Sequence, residues 1–224
     1  MKRLWMTIMI MVAIFTFTST VNANTIKLLN PGDSNRYSNG GPFNAVLSAA
    51  DPGLVDTAFT TFCLERNEYF YNWNTFYGYT IDDSAHNGGI AGQTSTNSDP
   101  ISDLTAYLYY NLRTVSTFAD DVIEKKALQA AFWYLEDELS LNPQSSYSNS
   151  SVEWLAWQYI NNADESFNNN GRVVVLNLYR VLRNGTTEQL QSQLGLARVP
   201  EPTTLLLLGL GLLGLGVSSR KLRK

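Results

Sequence analysis

Asp120-Asp121-Val122-Ile123-Glu124-Lys125-Lys126-Ala127-Leu128-Gln129-Ala130-Ala131-Phe132-Trp133-Tyr134-Leu135 is the stretch on which the fold turns. Leu128, Ala131, Phe132, Leu135 and, just beyond, Leu139 recur at i, i+3, i+4, i+7 and i+11. That spacing puts one apolar face on an α-helix, expected over residues 119–139. Working outward, Pro100-Ile101-Ser102-Asp103 opens a helix running to about Arg113, with Ser102 as N-cap. A third, shorter helix is expected over 152–162, with Trp154, Leu155, Trp157 and Ile160 apolar. Further out the pattern changes to short β-like runs at 25–29, 43–48 and 58–65, broken by Pro31-Gly32-Asp33 and Asp51-Pro52-Gly53. The aromatic stretch 69–80 reads as a strand pair and 82–99 as a long polar loop. After Asn168-Asn169-Asn170-Gly171 the run 173–182 is mainly β, and beyond the Asn184-Gly185 turn 187–196 fits helix or strand. Strands, then helices, then strands predict an α+β domain: a β-sandwich or barrel-like core with an inserted helical block.

The two ends of the chain have a different character. Lys2 and Arg3, an apolar run from Leu4 to Phe17 and Val21-Asn22-Ala23 have the layout of a signal peptide over residues 1–23. At the other end, Pro200-Glu201-Pro202 lead into an apolar rod over 203–219, closed by Arg220, Lys221, Arg223 and Lys224. The rod's 17 residues would make a transmembrane helix of about 25 Å, a little short of a ~30 Å hydrocarbon core. The basic stop would stay cytoplasmic. Residues 24–198 between the signals are one domain's worth of chain. That stretch carries ten basic and nineteen acidic side chains, a net charge near −9, which disfavours nucleic acid as a partner.

The tail resembles the PEP-CTERM sorting signal of Gram-negative, biofilm-forming bacteria. It does so through Pro200-Glu201-Pro202, the Leu/Gly rod and the Arg/Lys cluster of residues 199–224. The resemblance implies an exosortase-type processing enzyme as partner and an inner-membrane intermediate in transit. The destination it implies is the cell surface or extracellular matrix.

Cys63 is the only cysteine. It has no CxxC partner and no Cys/His cluster around it, so no metal site is expected. His86 is the only histidine and no GxSxG motif is present, so no Ser-His-Asp hydrolase is expected and His86 reads as a solvated loop residue. No catalytic residue, enzyme activity or cofactor is expected. Gln129 sits beside the core stripe of its helix, where a buried amide needs partners. One solution is covalent: Cys63 sulfur attacks the Gln129 side-chain carbonyl, expels ammonia and leaves an internal thioester, shielded from water by Phe62, Phe132 and Trp133. The other is that Cys63 is a small buried hydrophobe and Gln129 a satisfied helix residue. Phe62-Cys63 and Gln129-Ala130-Ala131-Phe132-Trp133 resemble the two motifs of the bacterial surface thioester domain family. Leu128 stands where that family often has Thr, and Phe132 where it often has Ile. The resemblance implies a β-rich core joined to helices and covalent capture of amine- or hydroxyl-bearing surface ligands.

Asp82-Asp83, Asp120-Asp121 and Glu136-Asp137-Glu138 lack EF-hand spacing and read as solvated faces or helix caps. Tyr69, Tyr71, Trp73, Phe76, Tyr77 and Tyr79 supply the alternative function, a non-covalent structural or carbohydrate-binding matrix protein contacting exopolysaccharide through a stacking platform.

Overall fold

The computed structural model describes residues 24–86, 98–141 and 151–198. The expected signal peptide, the sorting motif residues Pro200, Glu201 and Pro202, the apolar rod and the basic stop lie outside the described residues. Among the described residues no helix is long and apolar enough to cross a membrane.

The class is α+β. The strands are β1 (Thr25–Leu29), β2 (Phe43–Leu47), β3 (Ala58–Thr61), β4 (Phe76–Asp82), β5 (Ser84–His86), β6 (Ser98–Pro100), β7 (Val173–Val181) and β8 (Thr187–Leu196). Three helices, α1 (Asp103–Thr114), α2 (Val122–Leu135) and α3 (Val152–Asn161), fall between β6 and β7. Six strands form one antiparallel sheet in the order β3-β2-β1-β4-β7-β8, and β5-β6 form a separate ribbon. Two stacked sheets, one of the two expected forms, are therefore not what the strands make. Instead the chain leaving one edge strand returns to the other. Cys63 bridges Gln193 of β8, Leu194 N–H donates to Phe62 C=O at 3.2 Å, and Leu64 N–H donates to Ser192 C=O at 3.1 Å. Leu54 makes a second bridge to Ala197. This seam removes exposed edge groups from β8 where the helices pack.

Alternation along β1 and β2 buries Ile26, Leu28, Phe43, Ala45 and Leu47 in a sheet-side core. A second core lies under the helices, built on Phe62, Leu108, Tyr109, Leu128, Phe132 and Val175. Within it Phe62 and Phe132 meet edge to face at 5.0 Å, each fully buried ring contributing roughly 1.5–3 kcal/mol. The seam is where the two cores meet, and Tyr109 secures it: its hydroxyl lies 2.9 Å from Thr60 C=O and 3.1 Å from Leu194 C=O.

Helix boundaries follow local chemistry. The Ser102 side chain caps α1 by accepting from Thr105 N–H, as expected. Helix α2 is shorter than its apolar stripe. Asp121 starts it with a capping box to Glu124, and Asp137, at φ 60, adopts a left-handed conformation that ends it.

Two expectations are corrected and one left open is decided. The aromatic stretch 69–80 is a loop followed by the single strand β4, because its rings pack on one another rather than on a ladder. Phe70 and Trp73 lie 4.7 Å apart and both contact Phe43, while the Tyr77 hydroxyl bonds the backbone of Asn72. The polar stretch 82–99 is entered and left by β5 and β6. The ribbon is clipped to β7 by Asn177, which accepts from His86 N–H at 3.1 Å and donates to Ser84 C=O at 2.9 Å. His86 is thus a half-buried strand residue, not a solvated one. The segment 187–196 is strand β8, since pairing with β7 satisfies its backbone.

A buried Cys63–Gln129 site at the seam

Cys63 and Gln129 are 66 residues apart in sequence and meet at the seam. Both are buried. Gln129 projects from the middle of α2 and treats Cys63 as a strand neighbour would. Its Oε1 accepts from Cys63 N–H at 3.1 Å and its Nε2 donates to Cys63 C=O at 2.9 Å. A second donor, Gly41 N–H, reaches the same Oε1 at 2.6 Å. Both polar atoms of the amide therefore have partners, which explains how α2 tolerates it against an apolar stripe. Two backbone N–H groups converging on one carbonyl oxygen also form the arrangement that stabilises negative charge on that oxygen when its carbon is attacked.

Gly40 and Gly41, neither of them a candidate from the sequence, make the approach possible. A Cβ on Gly40 would lie 2.7 Å from Trp133 Cζ2 and 2.9 Å from Gln129 Cδ, and one on Gly41 would lie 3.0 Å from Gln129 Oε1. The signal was present as Gly40-Gly41-Pro42, which reads first as a turn.

Alternation across the seam divides the expected shielding residues. Trp133 belongs to the sheet-side core with Cys63, whereas Phe62 and Phe132 belong to the helix-side core. Gln193 Nε2 lies 3.6 Å from Cys63 Sγ. Burial pushes the Cys63 thiol up to about 12, with the Glu65 charge adding to it; Gln193, Gly41 N–H and Arg36 act in the opposite direction. At neutral pH the sulfur is held as a thiol.

Glu136 and Glu138 are buried rather than solvated, a correction for two residues of Glu136-Asp137-Glu138, whereas Asp137 is exposed as expected. Glu136 accepts from Ser102 N–H at 3.2 Å and Ser102 Oγ at 2.9 Å, and Glu138 accepts from Arg66 N–H at 2.8 Å. Glu65, two residues past Cys63, is 1% exposed. Its backbone carbonyl accepts from Gln191 Nε2, and neither carboxyl oxygen has a hydrogen-bond partner. Burial, then the charges of Glu138, Glu68, Asp99 and Glu136, push its carboxyl up to about 9. Gln193 Oε1 and Trp133 Nε1 are likewise buried without partners.

Next to this site lies a groove of about 280 Å³ lined by Arg36, Asn39, Tyr69, Phe70, Trp73 and Gln191. Asn39 adjoins Gly40, and the Arg36 guanidinium lies 5.3 Å from the centre of the Trp73 ring. The expected aromatic platform is divided: Tyr69, Tyr71 and Phe76 are exposed, whereas Tyr77 and Tyr79 are core residues.

Comparison with known proteins identifies the address. Residues 198–221 match the family described as PEP-CTERM protein-sorting motif. The chain therefore carries a sorting signal of exported proteins, one that implies membrane-associated processing by an exosortase. Among solved structures it is similar to the N-terminal thioester domain of a surface protein from Clostridium perfringens. That similarity has a TM-score of 0.44 at 13% identity and covers 77% of this chain and 97% of that one. No curated protein matches the chain.

Proposed function

We propose that this exported protein carries an internal Cys63–Gln129 thioester and uses it for covalent attachment to amine- or hydroxyl-bearing ligands at the cell surface or in the biofilm matrix. The observation that carries the reading is the Gln129 amide itself. Its carbonyl oxygen rests on Gly41 and Cys63 N–H, and its nitrogen on Cys63 C=O. This fixes the electrophile beside the chain's only cysteine, with two donors ready for the charge that develops on attack. The bond forms once and is consumed once, so the protein is a covalent adhesin and not a turnover enzyme. Its partners are the exosortase-type enzyme and the inner membrane in transit, and its ligand at the destination.

The intact mass of the purified exported protein tests this. A mass one ammonia below the sequence, absent in Cys63→Ala, is expected, together with addition of methylamine at Gln129. An unshifted mass with a maleimide-reactive thiol after denaturation would overturn it.

The groove favours a second reading, non-covalent carbohydrate binding. The aromatic rings Tyr69, Phe70 and Trp73 line it beside the donors Arg36, Asn39 and Gln191. Glycan binding that survives Cys63→Ala but is lost in Trp73→Ala would establish it in place of the covalent reading.

A further inference from the structure

The first and last described residues, Asn24 and Arg198, meet on one turn. The turn spans 51–55 and is closed by Leu54 N–H donating to Asp51 C=O at 3.1 Å. Asp51 is its hub. The carboxylate accepts from Gly53 N–H at 2.8 Å, from the Asn24 side-chain amide at 2.6 Å and from the Tyr79 hydroxyl at 2.7 Å. Against the turn lies a strap that continues β8. Val55 N–H donates to Leu196 C=O at 3.0 Å, Arg198 N–H donates to Gly53 C=O at 2.9 Å, and Ala197 bridges the buried Leu54. Ala197 N–H points the other way and donates to Arg172 C=O at 2.8 Å. The backbone is therefore held as far as Arg198, and residues 198–221 match the sorting motif. Fold and signal share a residue, and Val199 alone separates Arg198 from Pro200. With consecutive Cα atoms about 3.8 Å apart, the Cα of Glu201 lies within about 11 Å of that of Arg198 however the chain runs.

An enzyme that reads a short peptide in extended form grips it through main-chain hydrogen bonds. Here the main-chain groups just ahead of Pro200 are already bonded inside the fold: the Leu196 carbonyl and the Ala197 and Arg198 N–H groups. Pro200 and Pro202 have no N–H to offer in their place. The domain also stands close to any wall the enzyme builds around Glu201, since a neighbouring strand needs about 5 Å and a packed layer about 10 Å. We propose that the strap over 196–198 is a gate on the sorting signal. It must peel from the turn 51–55 and from Arg172 before the exosortase-type enzyme can hold the chain, and so it sets how long the domain stays tethered to the membrane. A chain end held by a few backbone bonds opens locally without global unfolding. Asp51 is the positioning residue of the gate, because it braces Gly53, the acceptor for Arg198. Closure of the Cys63–Gln129 thioester takes no part in the gate, and its failure leaves this inference standing.

The rate of processing tests this in cells that make the enzyme, with pulse-labelled full-length chain followed as precursor and cut product. A flexible Gly/Ser linker inserted between Arg198 and Val199 gives the enzyme free chain while leaving the strap in place. Processing should then run at least about fivefold faster than in the wild type. An unchanged rate would overturn the gate. So would a slower one, which would show that the enzyme docks on the turn 51–55 with the strap closed. Asp51→Ala, with the native tail, should also speed processing. In the detergent-solubilised protein it should raise deuterium exchange at the Ala197 and Arg198 amides while circular dichroism stays that of the wild type. Faster exchange without faster processing would overturn the gate as well. Should Asp51→Ala not fold, the linker variant decides, because it alters no residue of the domain.

Discussion

Two buried polar side chains at the seam contrast sharply. Gln129 has every strong hydrogen-bonding atom placed: two donors on its oxygen and a carbonyl for its nitrogen. Glu65, at the same seam, has none for either carboxyl oxygen. Both sit where water does not reach. The difference teaches that burial alone does not define a structural polar residue. Gln129 contributes to stability by filling the bonds of Gly41 and Cys63, whereas Glu65 costs stability, and its protonation is the fold's concession to that cost.

The sharpest way to break the contrast is Gln129→Leu in a Cys63→Ala background, so that no covalent bond is counted. It leaves Gly41 N–H, Cys63 N–H and Cys63 C=O unpaired in the interior, and should lower stability in urea by about 3–5 kcal/mol. A loss no larger than that of an ordinary surface substitution would show that the amide is dispensable.

Glu65→Gln should act in the opposite sense at alkaline pH. The folded carboxyl titrates near 9 against 4.5 for an ordinary Glu. Between those values the folded state holds a proton that the unfolded chain has released, so stability falls as pH rises through that window. Gln does not titrate. From pH 5 to pH 8 the variant should therefore gain on the wild type by an amount of order 4 kcal/mol, seen in paired denaturation curves. Parallel pH profiles would mean that Glu65 is not the group responsible.

Gly40→Ala sharpens the comparison from the side of Gln129. The added methyl meets Trp133 and the Gln129 amide at contact distances no real side chain keeps. A cost of about 1–2 kcal/mol is expected, with loss of the ammonia-free species in the mass spectrum. The smallest effect is a control at the far end of the helix. Asp121→Ala removes the α2 capping box and should cost about 1 kcal/mol while leaving the mass of the protein's Cys63–Gln129 pair unchanged. A change in closure there would extend the site to the whole helix.

Much of the scaffold was legible in local pattern. Strands β1, β2 and β7, the Ser102 cap and the apolar stripe of α2 each follow from residues within a few positions of one another. The misreadings came from side chains whose partners are distant. The 69–80 aromatics looked like alternating strand residues, yet Phe70 and Trp73 are placed by Phe43 of β2. His86 looked solvated, yet Asn177 holds its backbone from β7. Glu136 and Glu138 looked like a charged surface, yet Ser102 and Arg66 N–H receive them in the interior. The sequence singled out Cys63 and Gln129 by rarity and by polarity on an apolar face. It offered no sign of Gly41 as a donor or of Glu65 as an orphan.

From the sequence alone came the sorting tail, the α+β order of elements and the helix that carries Gln129. All three depend on composition and on periods of a few residues, which a linear chain displays directly. The tertiary structure decided which groups meet, Cys63 with Gln129 across 66 residues and Cys63 with Gln193 across 130, and set the Glu65 carboxyl in the field of carboxylates from separate elements. Such contacts are set by the closing of the sheet and the docking of α2 onto it. No spacing along the chain encodes them, because each is fixed by the packing of the whole.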